Sequence, residues 1–284
     1  MKTVNVGGVP EHFNLPWHIT LNKEEYKKQN INLRWHDYAD GTGAMCQALR
    51  SGDIDIAIIL TEGIIKDIIA GNPSAIIQTY VKTPLVWGVH VAEKSKYKNI
   101  EDIRGAKAAI SRYGSGSHLM AYINAERHKW NLNKDLDFEV IKDLNGAIKG
   151  LTEGEADYFL WEKFTTKPLV DDGVFRRIAD CPTPWPCFVI AARKDFLISS
   201  KKELQAILSI INKTTAQFKN TPDIDQVISA KYGQQLSDVQ DWLTITEWSQ
   251  KLIKEDVVMH IQKELFALKI IPEIVSYESL IYKL

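Results

Sequence analysis

The side chains best suited to hold a small ligand fall in loops that precede or follow short apolar runs. Thr42 and Gly43 stand in Asp40-Gly41-Thr42-Gly43, and Ser115, Gly116 and Ser117 follow Tyr113 in a second glycine-rich turn. Small residues and glycines before a helix leave backbone N–H groups open to an anion or polar head group. Glu62 and Glu162, read as standing at matching places in two halves of the chain, would accept hydrogen bonds from an amine or amino-heterocycle. Trp17, Trp161 and Trp185 offer faces for stacking or cation–π contact, worth about 0.5–2 kcal/mol each. Asn14, in the turn before Trp17, completes the set. Each residue also has a structural reading: the tryptophans as core, the glutamates as surface ion pairs, the hydroxyls as helix caps. His12 and His118 titrate in the useful range, but no Ser, Cys or Asp completes a triad around them. No grouping of His, Cys, Asp and Glu has metal-ligand spacing. Neither a catalytic residue nor a bound cofactor or metal is expected.

The elements that must position these residues repeat. Ala44, Ala48 and Leu49 share a helical face, Gly52 ends that helix, and Asp53-Ile54-Asp55 leads into an apolar strand. Asn145-Gly146-Ala147-Ile148, then Glu153-Gly154-Glu155-Ala156-Asp157 and Tyr158-Phe159-Leu160 repeat that order. Strands alternating with helices favour mainly parallel sheets with right-handed crossovers, whose carboxyl ends are where ligands bind. Two long apolar runs, 84–91 and 188–192, read as crossings between halves. The spacing therefore predicts lobe 1 at 1–91 plus 185–284 and lobe 2 at 92–184. Each is an α/β lobe with its sheet flanked by helices, and a ligand cleft lies between. Ser199-Ser200 opens a long amphipathic helix to Phe218, with Leu204, Ile207, Leu208 and Ile211 on its apolar stripe.

Composition narrows the classes. In 284 residues, 45% hydrophobic and 25% charged, there is enough apolar material for a full core. A formal charge of −1 gives no footing for nucleic acid or an anionic membrane. No apolar run approaches the roughly 20 residues that span a bilayer. The three cysteines form neither a disulfide framework nor a metal set. Met1-Lys2-Thr3-Val4 runs into strand-like sequence with no apolar leader. The expected location is cytoplasmic if Met1 is the natural start, and periplasmic or lipid-anchored if a leader has been removed. A transporter partner is expected only for an exported protein.

Gly8 to Trp17, Gly41-Thr42-Gly43, Ser51-Gly52-Asp53-Ile54-Asp55, Ser115-Gly116-Ser117 and Lys194-Asp195-Phe196-Leu197 occur in an order that resembles the type II periplasmic binding proteins. The chain is most similar to the group binding taurine, alkanesulfonates, nitrate or thiamine pyrimidine precursors, the substrate-binding components of ABC transporters. The resemblance implies a non-catalytic protein that closes two lobes on a small polar or heterocyclic ligand. The same fold includes a fungal enzyme group that makes the thiamine pyrimidine with pyridoxal phosphate and iron. That chemistry needs a Lys and a His four residues later, where this sequence has Ile59 and Gly63. An enzyme of thiamine or related cofactor metabolism is thus the alternative reading, and this departure argues against it.

Overall fold

The computed structural model describes residues 1–284. The first half runs β1 (Lys2–Gly8), α1 (Leu15–Asn22), β2 (Ile31–Asp37), α2 (Thr42–Ser51), β3 (Ile56–Leu60), α3 (Thr61–Ile69), β4 (Ser74–Val81) and β5 (Val86–Ala92). It continues with β6 (Lys107–Ile110), α4 (Gly116–Arg127), β7 (Asp137–Val140), α5 (Leu144–Thr152), β8 (Tyr158–Glu162), α6 (Lys167–Asp171) and β9 (Phe175–Pro182). The remainder is β10 (Phe188–Arg193), α7 (Lys194–Ser199), α8 (Lys201–Gln217), α9 (Ile224–Tyr232), α10 (Leu236–Ile245), α11 (Glu255–Ala267) and α12 (Tyr277–Leu280).

These elements form two compact units, Met1–Thr83 with Trp185–Leu284, and Pro84–Pro184. The chain leaves the first at Thr83–Pro84 and returns at Pro184–Trp185. Residues 84–91, assigned by sequence to lobe 1, therefore belong to the second unit. The reason is pairing: β5 lies antiparallel between β8 and β9, so its hydrogen bonds are made entirely in the second sheet. Apolarity marks a buried strand but not the sheet that claims it.

The two sheets share one topology. The first has strand order β2-β1-β3-β10-β4 and the second β7-β6-β8-β5-β9. In each, the first three strands are parallel. The strand that follows each connection, β10 or β5, is antiparallel to both neighbours. β4 is buried along its whole length, as expected of a strand covered on both faces. In the first unit α1 packs with α8, and α11 packs with α3 and α12. In the second, Ala109, Phe159 and Phe175 meet Ala147 and Leu151 of α5.

Local chemistry explains the repeated turn. α2 stops on Gly52, whose φ of 83° is left-handed and costs a glycine little. Two residues into the strand approach, Asp55 Oδ2 accepts the Asn5 N–H at 2.8 Å. Asp157 Oδ2 accepts the Lys107 N–H at 2.8 Å, at the corresponding place in the second unit. Each aspartate also donates its own N–H to the same strand, Asp55 to the Asn5 carbonyl and Asp157 to the Lys107 carbonyl. The acidic turn thus locks the register of the central parallel pair in both units.

Candidate functional site

In the first unit, the carboxyl edge of the sheet gathers Gly8, the start of α2 and the start of α3. Asn14 is fully buried and donates from Nδ2 to the Val9 carbonyl at 2.8 Å, while its Oδ1 has no partner. A side chain on Gly8 would run into Asn14 Nδ2 and the Trp35 ring, so glycine is what lets these two close over the end of β1. Trp17 has no exposed surface and sits among Tyr26, Trp35 and Tyr80. It is a core residue here, because the Pro16-initiated helix α1 turns it inward under the sheet edge.

Thr42 opens α2, and its Cγ2 lies where a Cβ on Gly63 would be, 2.3 Å away. The starts of α2 and α3 therefore meet backbone to side chain, with Gly43 partly exposed beside them. Glu62, in the first turn of α3, accepts the Trp185 Nε1–H at 2.8 Å. Both side chains are buried. Burial pushes the Glu62 carboxyl above its ordinary value, against the pull of its own backbone N–H and of Trp185. The helix N-terminus favours a negative charge at this position. Thr42, Gly63, Glu62 and Trp185 are brought together, and Asn14 lies on the β1 side of the same edge.

In the second unit, Ser115 caps α4, its Oγ accepting from the His118 N–H. Ser117 Oγ accepts the Ser111 N–H at 2.9 Å and lies 3.1 Å from Ser115 Oγ. These hydroxyls tie the end of β6 to α4, so their capping role is realised. Gly116 lies against Trp87, whose Cη2 would be 3.0 Å from a side chain there. Trp161 packs edge-to-face on Trp87 and stacks on Phe159, and it remains partly exposed. Tyr113 is set apart: it is 66% exposed, with its ring edge on His118 and Phe138.

Glu162 is buried, and its Oε2 accepts the N–H groups of Phe164 and Thr165 and the Thr165 hydroxyl at 2.7–3.0 Å. Burial raises its carboxyl above the usual range despite those donors. One of its oxygens is thus committed to the turn after β8.

The sheet register corrects the sequence-level match of the two glutamates. Val6 pairs with Ile56 as Ala108 pairs with Tyr158, and Gly7 with Ala57 as Ala109 with Phe159. Carried along β3 and β8, this register sets Leu60 level with Glu162 and Glu62 level with Phe164. The strand pairs agree, since Leu60 faces Phe188 and Glu162 faces Trp87. Both strands end the same distance beyond their aspartates, so Glu162 is the last residue of β8 while Glu62 lies two residues past the end of β3, inside α3, which the similarity of Thr61-Glu62 and Trp161-Glu162 disguised.

Comparison with known proteins now bears on this arrangement. The family described as Ca3427-like PBP matches residues 87–181. No curated protein matches the chain by sequence. Among solved structures, the CA3427 gene product of Candida albicans, described as having the generic periplasmic binding protein fold, is similar with a TM-score of 0.90. It is 23% identical over 100% of this chain and 97% of its own. The alkanesulfonate-binding protein SsuA of Xanthomonas axonopodis pv. citri, bound to MOPS, gives a TM-score of 0.83 at 13% identity, over 100% and 99%. The nitrate-binding protein NrtA of Synechocystis gives 0.70 at 14%, over 98% and 84%.

The chain has the periplasmic binding protein fold. In this fold's terms, Trp87 and Ser111 are the residues at the α4 start that sequence reasoning missed. Trp87 reads as one more apolar member of a buried strand, and only the pairing of β5 beside β8 places it under α4. No helix of the chain is long and apolar enough to cross a membrane.

Proposed function

We propose that this is a solute-binding protein for a small polar ligand. The observation that carries the reading is that each unit presents, at the carboxyl edge of its sheet, helix starts backed by aromatic and polar side chains, although α4 stands in the topological place of α1 and not of α2. In one these are Thr42, Glu62 and Trp185; in the other, Ser115, Gly116 and Trp161. The names of SsuA and NrtA, one bound to an alkanesulfonate buffer and one binding nitrate, support a small anionic or sulfonate-like ligand. The unpartnered Asn14 Oδ1 and the Glu62 carboxyl support instead a flat, nitrogen-bearing one such as a thiamine pyrimidine precursor. The enzyme reading draws no support from Ile59 and Gly63. Ile59 is wholly buried in β3 and Gly63 is pressed on Thr42, so neither place has an amine or an imidazole.

The test is native mass spectrometry of the purified protein for a retained solute, followed by calorimetry on wild type, Glu62→Gln and Trp161→Ala. Loss of a stacking or hydrogen-bonding partner should cost on the order of 1–3 kcal/mol, about tenfold or more in affinity. Unchanged affinity in both folded variants would place the site elsewhere.

A further inference from the structure

The second unit carries a group of lysines at the amino edge of its sheet, the edge away from the start of α4. β5 runs antiparallel to β8, so the loop 93–99 that follows β5 lies where β6, β7 and β8 begin. Arg176 of β9 fixes this loop. Its Nη1 donates to the Glu93 carbonyl at 2.9 Å, and its Nη2 to the carbonyls of Ser95 and Tyr97 at 3.0 and 2.7 Å. At the far end, Asp102 Oδ2 accepts the Lys98 and Asn99 N–H groups at 2.7 and 3.1 Å. Lys94, Lys96 and Lys98 alternate with the clamped residues, and all three are exposed. None of them forms an ion pair; Lys96 Nζ lies 5.0 Å over the Tyr97 ring. The carboxylates nearby serve other groups. Glu93 faces Arg176 at 4.0 Å, Glu101 faces His128 at 3.4 Å and Asp135 faces Arg104 at 2.8 Å. Positive side chains held together without counter-charges repel one another, a cost that an acidic partner removes.

We infer that the loop 93–99 is a docking surface for an acidic segment of another protein, with Lys94, Lys96 and Lys98 as its charged contacts and Arg176 as their positioning residue. The surface is separate from the solute site and does not rest on the solute-binding reading. Its surroundings select a protein partner. A nucleic acid strand needs a ring to stack on, and Tyr97, partly buried beneath Lys96, presents none. An anionic bilayer needs apolar side chains beside the lysines, or a larger basic cluster, for stable attachment. The exposed apolar residues Tyr113 and Val140 of this unit lie at the carboxyl ends of β6 and β7, the opposite edge. Cations held in fixed places suit carboxylates held in fixed places, because complementary charges give register as well as attraction.

The experiment follows the fluorescence anisotropy of a labelled peptide of alternating Glu and Ser, titrated with the full chain at low salt, with a Gln-Ser peptide as control. The Glu peptide should bind and the Gln peptide should not, and added salt should weaken the complex. Lys94→Gln/Lys96→Gln/Lys98→Gln should weaken it about tenfold or more. Lys201→Gln/Lys202→Gln/Lys219→Gln, the same loss of charge in the first unit, should change it by less than about twofold. Arg176→Lys keeps the charge but not the planar fork that reaches three carbonyls. It should weaken the Glu peptide and leave the salt dependence as it was, because no contact with the peptide is lost. Undiminished affinity in Arg176→Lys would overturn the positioning role. Equal losses in the two triple variants, or no binding of the Glu peptide at all, would overturn the loop as a docking surface. Loop-dependent binding of phosphatidylserine vesicles or single-stranded RNA, tighter than that of the Glu peptide, would overturn the acidic protein as partner. Self-association of the chain that the loop variant abolishes would overturn it too, in favour of a second copy.

Discussion

Trp185 Nε1–H donates to Glu62 Oε2 at 2.8 Å, across 123 residues of sequence. Trp185 is the first residue of the first unit after the chain returns from the second. Its neighbours are held at the same point. Thr61 Oγ1 donates to the Pro186 carbonyl at 2.6 Å, and the Thr61 N–H to the Cys187 carbonyl at 3.0 Å. Cys187 N–H in turn donates to the Thr83 carbonyl, the last residue before the chain departs. The start of α3 therefore secures both connecting segments as well as presenting a candidate ligand carboxyl.

Replacing Trp185 by Phe keeps most of the buried ring but leaves the Glu62 carboxyl without its indole donor. The expected loss is about 1–3 kcal/mol of stability, the cost of an unsatisfied buried polar group. Urea unfolding of the variant checks it, and an unchanged midpoint and slope would show that the hydrogen bond contributes nothing net.

Burial raises the Glu62 carboxyl above the 4.5 it has when free, so the folded protein binds this proton to higher pH than the unfolded chain. Its contribution is whole below about 4.5 and is lost as pH rises through the folded value. Glu162 works in the same direction. His12, wholly buried and lowered from 6.5 to about 3 by desolvation, works oppositely: stability present above 6.5 is lost as pH falls towards 3. Glu62→Gln should therefore gain relative to wild type as pH rises from 4.5 to 8. Parallel urea melts across that range measure the difference, and a constant offset would contradict a raised Glu62.

Gly63→Ala puts a methyl 2.3 Å from Thr42 Cγ2. Overpacking of this kind costs about 1–3 kcal/mol. Thr42→Ser removes that Cγ2, so the double variant should recover most of the loss. A double-mutant cycle of thermal midpoints reads the coupling, and additive effects would mean that the helices part rather than clash.

Asp55 and Asp157 each hold a central strand through one backbone N–H, but only Asp55 also accepts from Arg193 Nη2, at 2.9 Å. Asp157→Ala should cost about 1 kcal/mol and Asp55→Ala about 2–3, because a partly buried guanidinium loses one of its two carboxylate partners. Equal losses would show that the strand hydrogen bond is the whole effect.

The amino-acid sequence by itself determined the alternation of strands and helices, the glycine that stops α2 and the acidic turn repeated in both halves. These are legible because periodicity, left-handed glycine and a short-range aspartate are properties of neighbouring residues. The helix starts at Thr42 and Ser115 were legible for the same reason. Only the tertiary structure decided that residues 84–91 join the second sheet, that Trp17 is core, and that Glu62 is level with Phe164 rather than Glu162. It alone set Trp185 on Glu62 and Trp87 under Gly116. Those facts depend on which strands pair and in what register, and pairing is settled by contacts between residues a hundred positions apart. An apolar run or a tryptophan looks the same in sequence whichever sheet or helix it meets.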